Sequence, residues 1–213
     1  MPKFSVNRRL ALSGMAAAAA GVSAYPILSR AWSTTMQYEF TGPAADRKLG
    51  LAPPTECTPG TLSQTEGPYY TPSTPRRSSL LEPGSSGETL ILEGLILTRD
   101  CKPVAGAIID IWHCDERGRY DNAGYSYRGH QFTDASGAFR FTTIRPTRYS
   151  GRTPHIHVKV KGKSTRMLTT QLYFPDLEEL NERDSIFREG LLIDLRRNGK
   201  IWHGRFDFVL AAA

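Results

Sequence analysis

Residues 149–160 read Tyr-Ser-Gly-Arg-Thr-Pro-His-Ile-His-Val-Lys-Val. From residue 155 the stretch alternates strictly, and a period of two is that of a half-buried β-strand. Ile156, Val158 and Val160 therefore share one face, assigned to the core, while His155 and His157 share the other. Pro154 stops the strand extending cleanly upstream and fixes the approach of the loop before it. Outward from this stretch, short apolar runs separated by turns recur on both sides. Segments 89–98, 107–113, 137–144 and 167–174 read as strands. Segments 191–195 and 200–210 read as a hairpin joined at Asn198-Gly199, a type I′ turn signal. Only 176–188 reads as a helix, with acidic residues at its start as a helix N-terminus prefers. Many short strands at regular spacing predict a mainly β chain: an antiparallel β-sandwich core with long loops, an extended N-terminal arm and one short helix.

The 213 residues are enough for one domain with a substantial core, and 39% hydrophobic with 23% charged residues suits a folded chain without a permanent membrane span. The formal net charge of +6 is concentrated at the start. Residues 1–31 hold Lys3, Arg8, Arg9 and Arg30 and no acid; without these four, 23 basic residues face 21 acidic ones, a net of +2. The charge therefore gives no argument for a nucleic-acid partner. Arg8-Arg9, the weakly apolar stretch from Leu10 to Leu28 and the small residues after it form an export-signal pattern over 1–31. The paired arginines resemble the twin-arginine type, although Ala11 stands where an aromatic residue is usual. A periplasmic or extracellular location is expected. The Pro-, Thr- and Gly-rich segment 32–87 is read as an arm wrapping the domain, and 88–213 as the domain itself. Of the three cysteines, Cys101 and Cys114 flank a predicted strand and are poorly placed to bridge each other, whereas Cys57 could pair with either.

Two imidazoles at i and i+2 on a rigid strand can converge on one metal ion. Arg152 just before them suggests that something anionic binds nearby. Upstream, a strand ending at Trp112 leads through a loop to Tyr120. The ordered set Thr65-Glu-Gly-Pro-Tyr-Tyr70, Gly106-Ala-Ile-Ile-Asp-Ile-Trp-His113, Gly118-Arg-Tyr120, Arg128-Gly129, Gln131-Phe-Thr-Asp134, Thr143-Ile-Arg-Pro146, Tyr149 and Arg152-Thr-Pro-His-Ile-His157 resembles the intradiol ring-cleavage dioxygenases, the family of protocatechuate 3,4-dioxygenase and catechol 1,2-dioxygenase. That resemblance implies a β-sandwich holding one non-haem Fe3+ on Tyr120, Tyr149, His155 and His157, with Tyr149 as the ligand that leaves when substrate chelates. It also implies that O2 and a catecholic substrate react there to give a cis,cis-muconate. Arg152 would stabilise negative charge on the ring, and Gln171 would orient the substrate. Gly67, Pro68, Tyr69 and Trp112 would line or back the pocket. Hard, anionic phenolate oxygens suit Fe3+ better than softer or divalent ions, and a nearby cation favours the phenolate form.

Tyr125 or Tyr127 could take the place of Tyr120, whereas His113, His130 and His203 read as structural or surface residues. The gap from Tyr149 to His155 is short, so the loop there must be compact. No helical N-terminal dimerisation domain of the catechol dioxygenase type is legible, and a homo-oligomer is compatible with the arm. Two other functions compete: a non-catalytic exported sandwich that binds a ligand, and a zinc hydrolase using His155 and His157. The latter lacks an evident third histidine or carboxylate at suitable spacing.

Overall fold

The structure is a computed structural model and describes residues 51–57 and 59–213. The expected leader, 1–31, and the first part of the arm lie outside the described residues. The described chain forms nine strands: β1 (Thr89–Thr98), β2 (Ile108–Trp112), β3 (Arg128–Phe132), β4 (Ala138–Ile144), β5 (His155–Lys161), β6 (Leu168–Tyr173), β7 (Asp194–Asn198), β8 (Ile201–Arg205) and β9 (Phe208–Leu210). They build two sheets. One has the order β4-β1-β8-β7 with β9 also paired to β1; the other has the order β3-β2-β5-β6.

Alternation explains the layer between the sheets. Leu90, Leu92, Ile109, Ile111, Phe139, Phe141, Ile156, Val158 and Val160 point inward and are buried in one apolar cluster. On the back of β1, Leu95 and Leu97 join Ala138, Val209 and Cys57 in a second, smaller cluster. A disulfide links Cys57 to Cys101, tying residue 57 to the turn after β1, and Cys114 stays a buried thiol. The pairing left open by the sequence is thus resolved.

The expected mainly β sandwich is present, with five corrections. β1 pairs in parallel with both β8 and β9, so the sheets are rich in antiparallel pairs but not purely antiparallel. The strand expected over 200–210 is split, because Phe206 donates its N–H to the Glu93 carbonyl and the Asp207 carboxylate takes the Leu95 N–H in place of a ladder bond. β3 went unread because Arg-Gly-His-Gln-Phe does not alternate in polarity. The helix is only α1, Glu178–Glu182. Beyond it Asp184 accepts from the Ile186 N–H and from Arg152 and Thr153, local and tertiary bonds that compete with further helix. The hairpin turn also differs in detail. Asn198 pairs with Ile201, leaving Gly199 and Lys200 in the loop with positive φ (58°) at Gly199, the II′ pattern and not I′.

The outer face of the second sheet positions the site. Gln171, His157, Trp112 and Arg128 stand in one cross-strand row, and Thr169, Lys159, Asp110 and His130 in the next. Residues 61–77 run over these rows. The Thr65 carbonyl accepts from Gln171 Nε2 (2.9 Å), the Tyr69 carbonyl accepts from Arg128, the Tyr70 ring packs edge-on to Trp112 (4.8 Å), and Thr74 Oγ1 donates to Asp110 (2.9 Å). Further along, Arg77 N–H donates to the His130 carbonyl and His130 N–H to Pro75. No described helix is long and apolar enough to cross a membrane.

Candidate active site

His155 and His157 project from β5 into the space beneath residues 65–70, and both are buried. Their Nε2 atoms lie 3.1 Å apart. His155 Nδ1 faces the Thr153 carbonyl at 2.7 Å, so it carries the proton there and leaves Nε2 with a free lone pair. His157 is held differently. Its Nδ1 has no hydrogen-bond partner; the ring stacks on Trp112 with centroids 4.8 Å apart and planes within 5°. On its other side lies Gly67, with φ of 73°, where a Cβ would come within 3.2 Å of His157 Cε1. Burial pushes His155 down to about 4, and burial, then the second titratable imidazole beside it, pushes His157 well below the ordinary imidazole range. Both imidazoles are therefore neutral, the form that binds metal.

Two phenols complete the cluster. Tyr120 ends the loop after β2, and its ring sits edge-on to His157 at 6.1 Å and to Tyr149 at 5.2 Å. Its hydroxyl is buried without a hydrogen-bond partner. Burial drives that phenol far above its usual range, so a phenolate there needs a cation. The loop reaches the site because Gly118 (φ 74°) passes within van der Waals range of the Arg148 carbonyl; a Cβ would stand 2.4 Å from that oxygen. Tyr149 occupies the first corner of a tight turn in which Ser150 (φ 44°) and Gly151 (φ 79°) are both left-handed and Arg152 N–H returns to the Tyr149 carbonyl at 2.8 Å. That turn is the compactness demanded by the short gap to His155. The Tyr149 hydroxyl is hydrogen-bonded to the Tyr69 hydroxyl, the first cause of its raised pKa, and the Tyr69 ring stacks on Tyr120 at 4.6 Å.

Arg152 is fixed from behind. Its Nε donates to Asp184 (2.7 Å), a carboxylate only 1% exposed, and its Nη2 donates to Gln171 Oε1 (2.8 Å). Tyr173 OH also donates to Gln171 Oε1 at 3.1 Å, and burial pushes the Tyr173 phenol up to about 12. Thr153 N–H reaches the same Asp184 oxygen as Arg152 Nε.

The structure therefore gathers Tyr120, Tyr149, His155, His157, Gly67, Tyr69, Trp112, Arg152 and Gln171 at one place; Pro68 lies between two of them in the chain. The two alternative tyrosines are occupied elsewhere, Tyr125 donating to the Pro72 carbonyl and Tyr127 to Glu116. His113 bonds Cys114 and Thr143, and His130 bonds Thr74. The sequence gives no site role to Asp184 or Tyr173, and Arg128 enters it only within the motif Arg128-Gly129. Their relation to the site exists only across strands and loops far apart in the chain, and no local spacing encodes it. Among the described residues no three of His, Cys, Asp and Glu converge as a metal cluster, so the oxygen donors available to the histidine pair are phenols. Two neutral imidazoles and two phenols, one with its hydroxyl buried without a partner, fit a hard, highly charged cation.

Comparison with known proteins agrees with this geometry. Residues 65–212 match the family model described as dioxygenase. The chain is 29% identical to hydroxyquinol 1,2-dioxygenase of Nocardioides simplex, over 69% of this chain and 63% of that one. It is 30% identical to catechol 1,2-dioxygenase of Acinetobacter baylyi, over 71% of this chain and 56% of that one. The chain thus spans less than two thirds of the length of these relatives. Among solved structures, the dioxygenase domain of a dioxygenase–carbohydrate-binding fusion from Streptomyces sp. SirexAA-E superposes with a TM-score of 0.69 at 45% identity, covering 72% of this chain and 99% of that domain. With motif order, fold and site in agreement, the chain belongs to the intradiol ring-cleavage dioxygenase family.

Proposed function

We propose that the protein is an iron(III) dioxygenase that opens catecholic rings between their two hydroxyls with O2, giving cis,cis-muconate-type products. The observation that carries this reading is the convergence of two facing imidazole Nε2 atoms and two phenols, one of them buried without a partner. Tyr120, Tyr149, His155 and His157 would hold the iron. When bound, Fe3+ supplies Lewis acidity toward the substrate hydroxyls and the electronic coupling that lets ring and O2 react.

The chain's own groups then have distinct tasks. Tyr149 sits on an exposed turn with its hydroxyl already bonded to Tyr69, so it is the phenol placed to withdraw and take a substrate proton at its oxygen. Tyr120 is walled in by Tyr69 and His157 and stays. Arg152, held by Asp184, keeps a fixed positive charge for negative charge developing on the ring. Gln171 is anchored at both ends of its amide, to the Thr65 carbonyl and to Arg152, and sets the floor against which the substrate lies. Gly67 and Tyr69 cover the site and limit water.

We also propose that the mature chain works outside the cytoplasm. The twin-arginine-like leader supports this, and so does the Cys57–Cys101 disulfide, a bond favoured in oxidising compartments. The substrate class rests on the chemistry of the relatives, which are named for catechol and hydroxyquinol.

Product analysis tests the proposal. Iron-loaded protein is given catechol, hydroxyquinol or protocatechuate in air, and products are identified by NMR. A cis,cis-muconate from at least one substrate supports it. A semialdehyde, formed by cleavage outside the two hydroxyls, or no O2 uptake with any of the three, contradicts it.

A further inference from the structure

We infer that Arg128 is a positioning residue for this site: it locks the Tyr120 loop to the arm and holds a positive charge against the Tyr120 ring. The inference rests on the proposed iron site. Arg128 opens β3 and is fully buried. Buried arginines are ordinarily matched by carboxylates. Here the three hydrogen-bond acceptors of the guanidinium are all uncharged: the Asp121 carbonyl (2.9 Å from Nε), the Tyr69 carbonyl on Nη1, and Asn122 Oδ1 (3.2 Å from Nη2), while the Asp121 and Asp110 carboxylates act on it only through space. The nearest acid in sequence, Asp121, makes no side-chain hydrogen bond to Arg128. Its carboxylate accepts the N–H groups of Gly124 (2.7 Å), Ser126 (3.0 Å) and Ala123 (3.1 Å) and so closes its own loop.

The acceptors are the important part. Asp121 and Asn122 directly follow Tyr120. Tyr69 stacks on Tyr120 and bonds to Tyr149. One planar fork therefore fixes both neighbours of the Tyr120 ring, and its central carbon lies 5.9 Å from that ring's centroid. A lysine could keep the charge but could not reach three acceptors in divergent directions. A buried cation at this distance also lowers the energy of electrons on the phenolate. Arg128 thus acts on the metal through Tyr120 and not by touching substrate.

The test compares Arg128→Lys and Arg128→Gln with the parent protein. Each is assayed for iron affinity by chelator competition, for the visible tyrosinate-to-iron charge-transfer band, and for melting temperature without metal. The Gln variant is expected to bind iron about 10-fold or more weakly, as loss of an outer partner of a ligand does. Its band should move to longer wavelength, because the phenolate electrons rise in energy. The Lys variant should lose affinity while its band stays near the parent position. If the Gln variant does not fold, the affinity of the Lys variant alone decides. Parent-like affinity and band in either folded variant, with only the melting temperature lowered, would overturn the inference and make Arg128 purely structural. A parent protein that takes up iron without any tyrosinate band would overturn the iron site itself, a distinct failure that removes the ground of this inference too.

Discussion

On the inner face of the four-stranded sheet, Ile109, Ile111, Ile156 and Val158 meet the other sheet; on the outer face the same two strands present Asp110, Trp112, His157 and Lys159. Both faces are buried. The inner one is dry because apolar side chains of two sheets interdigitate, and it needs no specific partner for any atom. The outer one is covered by chain that lies between 36 and 106 residues away, and nearly every polar group there has a named partner. Lys159 pairs with Glu66 and lies 4.3 Å over the Tyr70 ring; Asp110 accepts from Thr74 and Tyr70; Gln171 and Arg128 bond arm carbonyls. The exceptions, His157 Nδ1, Trp112 Nε1 and the Tyr120 hydroxyl, cluster at the site. A stable inner face and a polar, precisely partnered outer face thus divide stability and chemistry between two sides of one sheet.

Variants on the two faces should behave as different classes. The largest separation is expected from His157→Ala, which should remove iron binding and ring cleavage, and from Tyr120→Phe, which should abolish ring cleavage, both leaving the far-UV circular dichroism and cooperative unfolding unchanged. Next, Ile156→Ala, one residue away on the inner face, should cost about 2–5 kcal/mol in denaturant unfolding without changing the spectrum of protein that remains folded. Asp184→Ala frees Arg152. Because Arg152 keeps a quarter of its side chain in solvent, the stability cost should be about 2 kcal/mol, below the usual figure for a fully buried pair. Its turnover should fall more than its substrate affinity. Gly67→Ala is expected to cost about 1 kcal/mol at its positive φ, and to weaken iron binding by pressing on His157.

Burial raises Asp110 to about 7, above its ordinary 3.8. The folded state then holds a proton that the unfolded chain has released, so this group makes stability fall as pH rises from about 4 to about 7. Asp110→Asn should flatten that part of the curve in urea titrations across this range. An unchanged slope would show that Lys159 keeps Asp110 ionised.

The inner face was legible because alternation is a local signal: β1, β2, β4, β5 and β6 all lie within a residue or two of their expected bounds. The cluster of Tyr120, Tyr149, His155 and His157 was legible through the resemblance and the His-x-His alternation. The outer face was not. Nothing local in Arg-Gly-His-Gln-Phe marks β3, since its residues do not alternate in polarity and only Arg128 and Gly129 are fully buried, His130, Gln131 and Phe132 being partly so. The early end of α1 depends on Asp184 reaching Arg152 and Thr153, and the parallel pairing of β8 and β9 depends on β1. The Cys57–Cys101 bridge likewise needed the arm's path. Each is a contact between segments whose proximity only the fold creates.

If two phenols and two imidazoles together bind one ferric ion, resonance Raman spectroscopy of the iron-loaded protein detects both phenolates. Excitation in the visible band should enhance tyrosinate ring modes from two distinct ligands, with one set lost in Tyr120→Phe and the other in Tyr149→Phe. Iron bound at full stoichiometry with no tyrosinate modes, or with modes that survive both substitutions, would contradict it.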